Sequence, residues 1–441
     1  MIWFGVRPND ELTTTAVRLL AVFSSCICAL ITTSVDISVL VLTGLTLLAV
    51  THSFECVDHA TGDKIECGLC GQTNPSTHLI YQCNASKESF EKSLKGFSSS
   101  VVWLIFAAFH LGKAVQLTQL GRRLSLVMIK FFGKRILGMA YAIILSELLL
   151  APFVPSNTAR GGGIVLPVVQ SIATSLGSTP LEQPEIGGFL VLVGAHANFL
   201  SASMYLTGMA PNPIVVAKAN QLFPDLHFGF MTWLIGSIVP ALTCALALPY
   251  ILRRSYGLGS NDQDHKSSND SIIRHSQIEL EHMGSMSLRE WKLCLTLLTC
   301  LGLWVTSGYT KMNTTLVALM GIVALLFTRT VTWEDIVGNT NAWDTLFWLG
   351  GFVTMAEQLS EAGASAYLGR KISYTIEELG LAPLPCLAVA YFLTTFLFSS
   401  LSAHTVAFAA TFLDAGKFLG AQPMLLTALL GYFGALGGCM V

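Results

Sequence analysis

The chain has 441 residues, 52% of them hydrophobic and only 12% charged, with a net charge of −2 and a mean hydropathy of +0.61. Soluble domains carry about 25% charged residues, so the charge here is too sparse to cover a water-soluble surface of this size. The balance of charge also excludes a nucleic-acid partner and a polybasic tail for anionic lipid.

The opening MIWFGVRPNDEL lacks a basic region followed by an apolar run and a small-residue cleavage site, so no cleavable signal is expected and the chain starts close to its first span. A bilayer core asks for about 20 mostly apolar residues, with about 17 workable. Runs of that kind are 14–33, 35–51, 100–118, 136–153, 188–206, 228–251, 292–309, 313–328, 343–360, 384–400 and 422–439. The chain is therefore an all-α, multi-pass membrane protein; which membrane holds it is not legible. Several runs are interrupted by Gly, Pro and polar residues. Non-helical backbone at membrane depth is tolerated only where protein buries it or it lines a wet cavity.

Between the second and third runs, the 53–99 loop holds Cys56, Cys67, Cys70 and Cys83, and the sequon Asn84-Ala85-Ser86. An even cysteine count on an oxidising side suggests two disulfides whose connectivity is open. Free thiols, or a zinc knuckle on Cys67 and Cys70 with His59 or His78, are the competing readings; the spacing is loose for a finger. Orientation follows Lys and Arg. Arg122, Arg123, Lys130, Lys134 and Arg135, and then Arg253 and Arg254, mark cytoplasmic stretches. The 53–99 loop then lies on the exoplasmic or lumenal side, and the run 136–153 turns back rather than crossing.

The polar segment 253–290 reads as a disordered cytoplasmic linker. It divides the chain into a first transmembrane repeat, 1–252, and a second, 291–441. Residues 104–121 and 346–363 agree at five of eighteen positions, including Gln116/Gln358 and Gly121/Gly363. Each is followed by an amphipathic stretch, an apolar run and a small-polar cluster: Ser156-Asn157-Thr158 in the first half, Ser402-Ala403-His404-Thr405 in the second. Repeats with helix breaks at matching positions mark transporters with a midplane site.

In PFVPSNTARGGGIVLPVV, residues 152–169, Pro152 and Pro155 stop a helix, Ser156, Asn157 and Thr158 are N-cap residues, and Gly161 to Gly163 permit close backbone approach. The natural reading is a hairpin tip whose free amides face a small anion, with freed carbonyls for a cation such as sodium. The plainer reading is a proline-kinked helix whose polar residues only cap broken backbone. A second break, Thr207 to Pro213, would set Thr207 and Asn212 beside that tip, or be an ordinary loop at a span end.

These residues resemble the divalent anion/sodium symporter family, in particular its branch of bacterial citrate/succinate antiporters and plastidic 2-oxoglutarate/malate translocators. The resemblance rests on WLIFAAF with GRRLSLVMIKFFGKRILGMAYA, then APFVPSNTARGGGIVLPVVQSI, SMYLTGMAPNPIVV, DTLFWLGGFVTMAEQL and the SAHT cluster. It covers nearly everything except 53–99 and 253–290. It implies inverted repeats with two helical hairpins and broken helices, an elevator-type movement against a dimeric scaffold, and transport of di- or tricarboxylates. By position, Ser156, Asn157 and Thr158 would bind a substrate carboxylate and help form a cation site. Thr207, Pro211 and Asn212 match the broken helix beside the tip, and with Gly161 of the first break they form the ion or helix-break set. Ser402 belongs to the second small-polar cluster, whose His404 and Thr405 match the second tip.

The family pattern has a span before residue 14 and continues past Val441, so the second ion site is expected to be incomplete, as in a fragment or a non-transporting relative. Glu147, nine positions before Ser156, is an acid at apolar depth that serves either function or a buried hydrogen-bonded structure. His196 and Asn198 could line the pocket. Arg160, with His404, would compensate substrate charge and favour sodium-independent exchange, malate against 2-oxoglutarate, succinate or citrate; alternatively Arg160 faces the cytoplasmic mouth and pairs with a scaffold acid. No organic cofactor is implied. Sodium stays open as a coupling ion, and sodium symport as the competing mode. A channel lacks its rings of pore charge, and an enzyme or a pump lacks a metal set or a P-loop.

Overall fold

The computed structural model describes residues 3, 8, 12–75, 78–258, 266–398 and 400–439, which are mostly helical. The apolar runs fold where hydropathy places them: α1 (Thr14–Thr32), α2 (Ile37–Val50), α4 (Ser100–Leu117), α6 (Ile136–Leu150), α8 (Pro184–Met204), α10 (Phe230–Ser255), α12 (Leu288–Val305), α13 (Thr314–Phe327), α14 (Thr340–Glu361), α16 (Pro383–Thr394) and α18 (Pro423–Leu436). Amphipathic or polar stretches between them form α3 (Ala85–Ser93), α5 (Leu120–Phe132), α7 (Leu166–Ser175), α9 (Pro211–Leu222), α11 (Lys266–Met283), α15 (Ala364–Glu378) and α17 (Leu401–Phe418). Among the described helices, α1, α4, α8 and α10 are long and apolar enough to cross a membrane. On α10, Ile235 and Val239 are 67% and 69% exposed, a face that suits hydrocarbon and not water. Serine and threonine hydroxyls along the spans bond the carbonyl four residues back, as Thr43 does to Val39 and Thr243 to Val239, so their polarity is satisfied inside the helix.

Two units can be distinguished, each drawing on both sequence halves. The first comprises 1–106, 214–227 and 341–434. Its 53–99 segment is held by a short antiparallel ladder, Glu55–Val57 on Lys64–Glu66, and by the disulfides Cys56–Cys67 and Cys70–Cys83. A segment this small has little core of its own, and covalent staples constrain its unfolded state instead. Asp58 gathers its turns, accepting from the Gln82 amide at 2.8 Å, the Ala60 amide at 3.2 Å and the Thr61 hydroxyl at 3.1 Å. Those bonds, that of Gln82 foremost, hold its carboxyl below the usual carboxylate range. Asn84 caps α3 by accepting from the Lys87 amide. In the same unit α17 is a helix in its own right, which the apolar runs did not single out because Ser, His, Thr and Asp interrupt its sequence.

The second unit comprises 107–213, 228–340 and 435–441. Here the segment expected to be a disordered linker carries α11, while 259–265 lie outside the described residues. Buried Ser276 marks the face that α11 turns toward α5 and α7. Two polar ties hold it: Arg122 on α5 reaches Glu279 at 2.6 Å, and Ser171 on α7 meets His275 at 2.9 Å. Low hydrophobicity concealed this helix in the sequence. The same unit holds the first hairpin, α6 and α7, with its tip at 151–157.

Candidate functional site: the first hairpin tip

The tip forms because α6 must end. Pro152 and Pro155 lack amide protons, and the chain resumes as a π-helical turn, Thr158–Val165, that runs into α7. Ser156 starts this turn by accepting from the Ala159 amide at 3.2 Å. Its oxygen thus caps the backbone, and the O–H expected to meet a carboxylate is not used in that bond. A π-turn widens the helix and is frequent at functional sites. From α4, Gln116 donates to the Ala159 carbonyl at 3.2 Å and braces the turn.

Beneath the tip lies an ion pair in which neither side chain is exposed: Arg160 Nε to Glu147 Oε2 at 2.7 Å. The rest of the guanidinium is occupied too. Nη1 donates to the Val154 and Gly208 carbonyls at 2.6 and 3.0 Å. Nη2 faces the Asn198 carbonyl at 2.9 Å, with the Asn157 Oδ1 and the Ser201 hydroxyl each at 3.2 Å. Arg160 thus ties together α6, the tip, α8 and the second break. The sequence left Arg160 open between a charge for the substrate and a pair with a scaffold acid at the cytoplasmic mouth; in this structure Glu147 of the same hairpin neutralises it, because five donors converge on acceptors that surround it.

The second break is built beside the first. The chain leaves α8 at Tyr205, passes a short 3₁₀ turn, Leu206–Gly208, and enters α9 at Pro211. Thr207 donates to the Pro152 carbonyl at 2.8 Å, which joins the two breaks. Asn212 donates to the carbonyls of Ala202 and Tyr205 at 2.8 and 3.0 Å, satisfying the end of α8. A side chain at Gly208 would put a Cβ 2.6 Å from the Ala202 carbonyl oxygen, so only glycine fits. Thr207 thus meets the first tip, which contains Gly161, while Asn212 closes the end of α8 and Pro211 starts α9; Thr207 and Asn212 point their donors at backbone.

Above this base is a cavity of about 300 Å³, lined on its polar side by Glu147, Asn157, Thr158 and Asn198, with Gly161, Gly162 and apolar residues of α7 and α8 completing it. Three buried polar atoms around the tip have no hydrogen-bond partner: Asn157 Nδ2, Glu147 Oε1 and Asn212 Oδ1. The first two belong to cavity-lining side chains. Such atoms are rare in folded proteins and call for an explanation. Asn198, whose direction the sequence left open, donates to Glu147 Oε2 at 2.9 Å. His196 instead turns back to the Leu192 carbonyl of its own helix.

The second tip, in the other unit, is built differently. Ser400 caps α17 by accepting from the Ala403 amide. His404 is fully buried, with Nε2 2.9 Å from the Thr394 hydroxyl and its ring against Tyr391, Phe398 and Phe408. Thr405 lies 3.5 Å from the Tyr391 hydroxyl, and Ser402 is half-buried. His404 and Thr405 pack against the preceding arm, α16. No group of three or more His, Cys, Asp or Glu able to hold a metal occurs among the described residues.

The family described as the sodium:sulfate symporter transmembrane region matches this chain over residues 1–441. The chain belongs to that family. Within it, the sequence is 34% identical over 363 residues to the citrate/succinate antiporter of Escherichia coli strain K12, covering 80% of this chain and 72% of that protein. It is 30% identical over 445 residues to the chloroplastic dicarboxylate transporter 1 of Spinacia oleracea, covering 99% and 70%. Among solved structures, MtrF of Neisseria gonorrhoeae aligns with a TM-score of 0.54 at 14% identity, covering 95% of this chain and 90% of that one. The YdaH transporter of Alcanivorax borkumensis aligns at 0.52 and 13%, covering 95% and 86%. These two likenesses bear on the fold alone. This member of the symporter family is a multi-pass membrane transporter and not an enzyme.

Proposed function

We propose that this chain is a secondary transporter of di- or tricarboxylates, of the malate, succinate, 2-oxoglutarate and citrate class, working by exchange. The observation that carries the reading is the unpartnered Asn157 Nδ2 in the cavity at the first hairpin tip. A neutral donor of this kind, with the Thr158 hydroxyl beside it, suits a carboxylate oxygen and leaves room for an anion to depart. The relatives named for citrate, succinate and dicarboxylates supply the substrate class.

Exchange is favoured over sodium symport by relatives that are named citrate/succinate and L-tartrate/succinate antiporters. In the empty cavity Arg160 and Glu147 form a neutral base. Sodium remains the rival coupling ion. The second tip, with Ser402, His404 and Thr405, belongs to this reading as the counterpart of the first, and so does a homodimer as the scaffold for an elevator movement. The test uses proteoliposomes preloaded with malate or left empty, each with and without a sodium gradient. Uptake only into loaded vesicles, indifferent to sodium, is the expected result. Sodium-dependent uptake into empty vesicles would replace exchange by symport.

A further inference from the structure

The two oxygens of Glu147 have opposite fates. Oε2 accepts from Arg160 Nε, from Asn198 Nδ2 at 2.9 Å and from the Ser201 hydroxyl at 3.4 Å, while Oε1 accepts from nothing. The side chain is wholly buried yet lines the cavity. An ionised oxygen left without a donor in such a place is costly. Asn157 mirrors it: Oδ1 is held by Arg160 and Nδ2 is free. Two residues that line the cavity thus carry one unused donor and one unused acceptor, both buried, on side chains tied to the same guanidinium.

We propose that Glu147 takes up one proton when a carboxylate ligand enters this cavity and returns it when the ligand leaves. The inference rests on the carboxylate reading above. A ligand carboxylate that accepts from Asn157 Nδ2 shares the cavity with Oε1. Two carboxylates that share one site favour having a proton between them over both staying ionised. A proton taken from bulk water onto Oε1 removes the conflict, and the resulting O–H donates to the ligand. No other bond forms or breaks. Oε2 keeps its bond from Arg160, whose charge then faces the ligand through the Asn157 amide. The empty site is neutral as Arg160 with Glu147 carboxylate; the loaded site is neutral at this end as Arg160 with the ligand carboxylate. Over one turn of exchange the protons cancel, so the linkage appears in binding and not in a proton current.

Among the charged and titratable groups on the elements packed against α6, Arg160 touches Glu147, while on α8 His196 turns back to the Leu192 carbonyl and Glu185 lies in the first turn. The π-turn brings Arg160, and α8 brings neutral Asn198 and Ser201. On α5, Arg122 and Arg123 are engaged by Glu279 and Glu290, and Lys130 lies in the last turn. On α10, Arg253 and Arg254 lie in the last turn, and on α6 itself Tyr141 donates to the Leu246 carbonyl.

The test is calorimetric titration of the purified full-length protein with malate, in pairs of buffers of different ionisation heat, between about pH 7 and 9, where both malate carboxyls are ionised. Uptake of one proton per malate bound is expected, with affinity falling about tenfold per pH unit across that range. Glu147→Gln, whose amide imitates the protonated acid, should bind malate with no proton uptake and no such slope. Malate binding without proton uptake by the unaltered protein overturns the inference and leaves carboxylate transport standing. So does Glu147→Gln binding with the wild-type proton count. Should Glu147→Gln not fold, the proton count of the unaltered protein decides alone. Failure of the unaltered protein to bind malate, succinate, 2-oxoglutarate or citrate overturns the transport reading itself, and this inference with it.

Discussion

Arg160 Nε lies 2.7 Å from Glu147 Oε2, thirteen residues back along the chain, with both side chains fully excluded from solvent. The pair holds the first hairpin tip to the end of α6. Removing one partner of a buried pair strands the other charge and costs about 3–5 kcal/mol. Arg160→Ala should therefore lower the melting temperature of the detergent-purified protein sharply, and Glu147→Leu with it. The double variant Glu147→Leu/Arg160→Met should recover much of the loss. A thermal melt of Arg160→Ala indistinguishable from wild type would refute the bracing role.

The cavity face of the tip should behave differently from its base. Asn157→Ala and Thr158→Ala each delete a donor proposed for the ligand carboxylate, worth about 1.5–3 kcal/mol per charged hydrogen bond. Malate exchange should drop by about tenfold to a hundredfold in each, with surface abundance retained. Normal exchange in both variants would move the substrate site elsewhere.

The glycines of the tip are unequal. A Cβ at Gly161 would sit 2.8 Å from Asn198 Nδ2, whereas one at Gly162 would meet nothing within 4 Å. Gly161→Ala should push Asn198 off Glu147 and reduce exchange at least severalfold, while Gly162→Ala should be tolerated. Radiolabelled malate exchange in the two variants, side by side, checks the contrast; equal activity would contradict it.

Outside the membrane, Asp58 sets a pH limit for the 53–99 segment. Its carboxyl is held below the usual range by the Gln82 amide first, then the Ala60 amide and the Thr61 hydroxyl. A depressed carboxylate contributes stability that is fully present above its ordinary range and is lost as pH falls through the lowered value. Limited proteolysis should find this segment resistant at neutral pH and increasingly cleaved under strong acid. Asp58→Asn should be cleaved at neutral pH already. Reduction of Cys56–Cys67 and Cys70–Cys83 should open it at any pH.

Sidedness follows from the Lys and Arg distribution. Cysteines introduced at exposed positions of 53–99, into a variant with Cys28 and Cys244 replaced, should label with impermeant maleimide from the exoplasmic or lumenal face. Those introduced near Glu281 should label only from the cytoplasm. Labelling from the opposite faces would invert the topology.

By itself the sequence determined the membrane class, the order of most helices and the place of both breaks. Those follow from local chemistry: long apolar runs must be helical in lipid, and prolines beside Ser156, Asn157 and Thr158 must interrupt them. The pairing of Cys56 with Cys67 and Cys70 with Cys83 was open among connectivities, because spacing does not say which sulfurs meet. Helix α11 was hidden because its ties, Arg122 to Glu279 and Ser171 to His275, join residues more than a hundred positions apart. Only the tertiary structure decided what Arg160 does. An arginine after an N-cap cluster can face a ligand or a neighbouring acid with equal ease in the sequence. It faces Glu147 because α6 and the π-turn return side by side, and because the carbonyls of Val154, Asn198 and Gly208 close around it. That convergence leaves Asn157 Nδ2 and Glu147 Oε1 as the unsatisfied groups beside the cavity, a property of geometry that no residue type or spacing could carry.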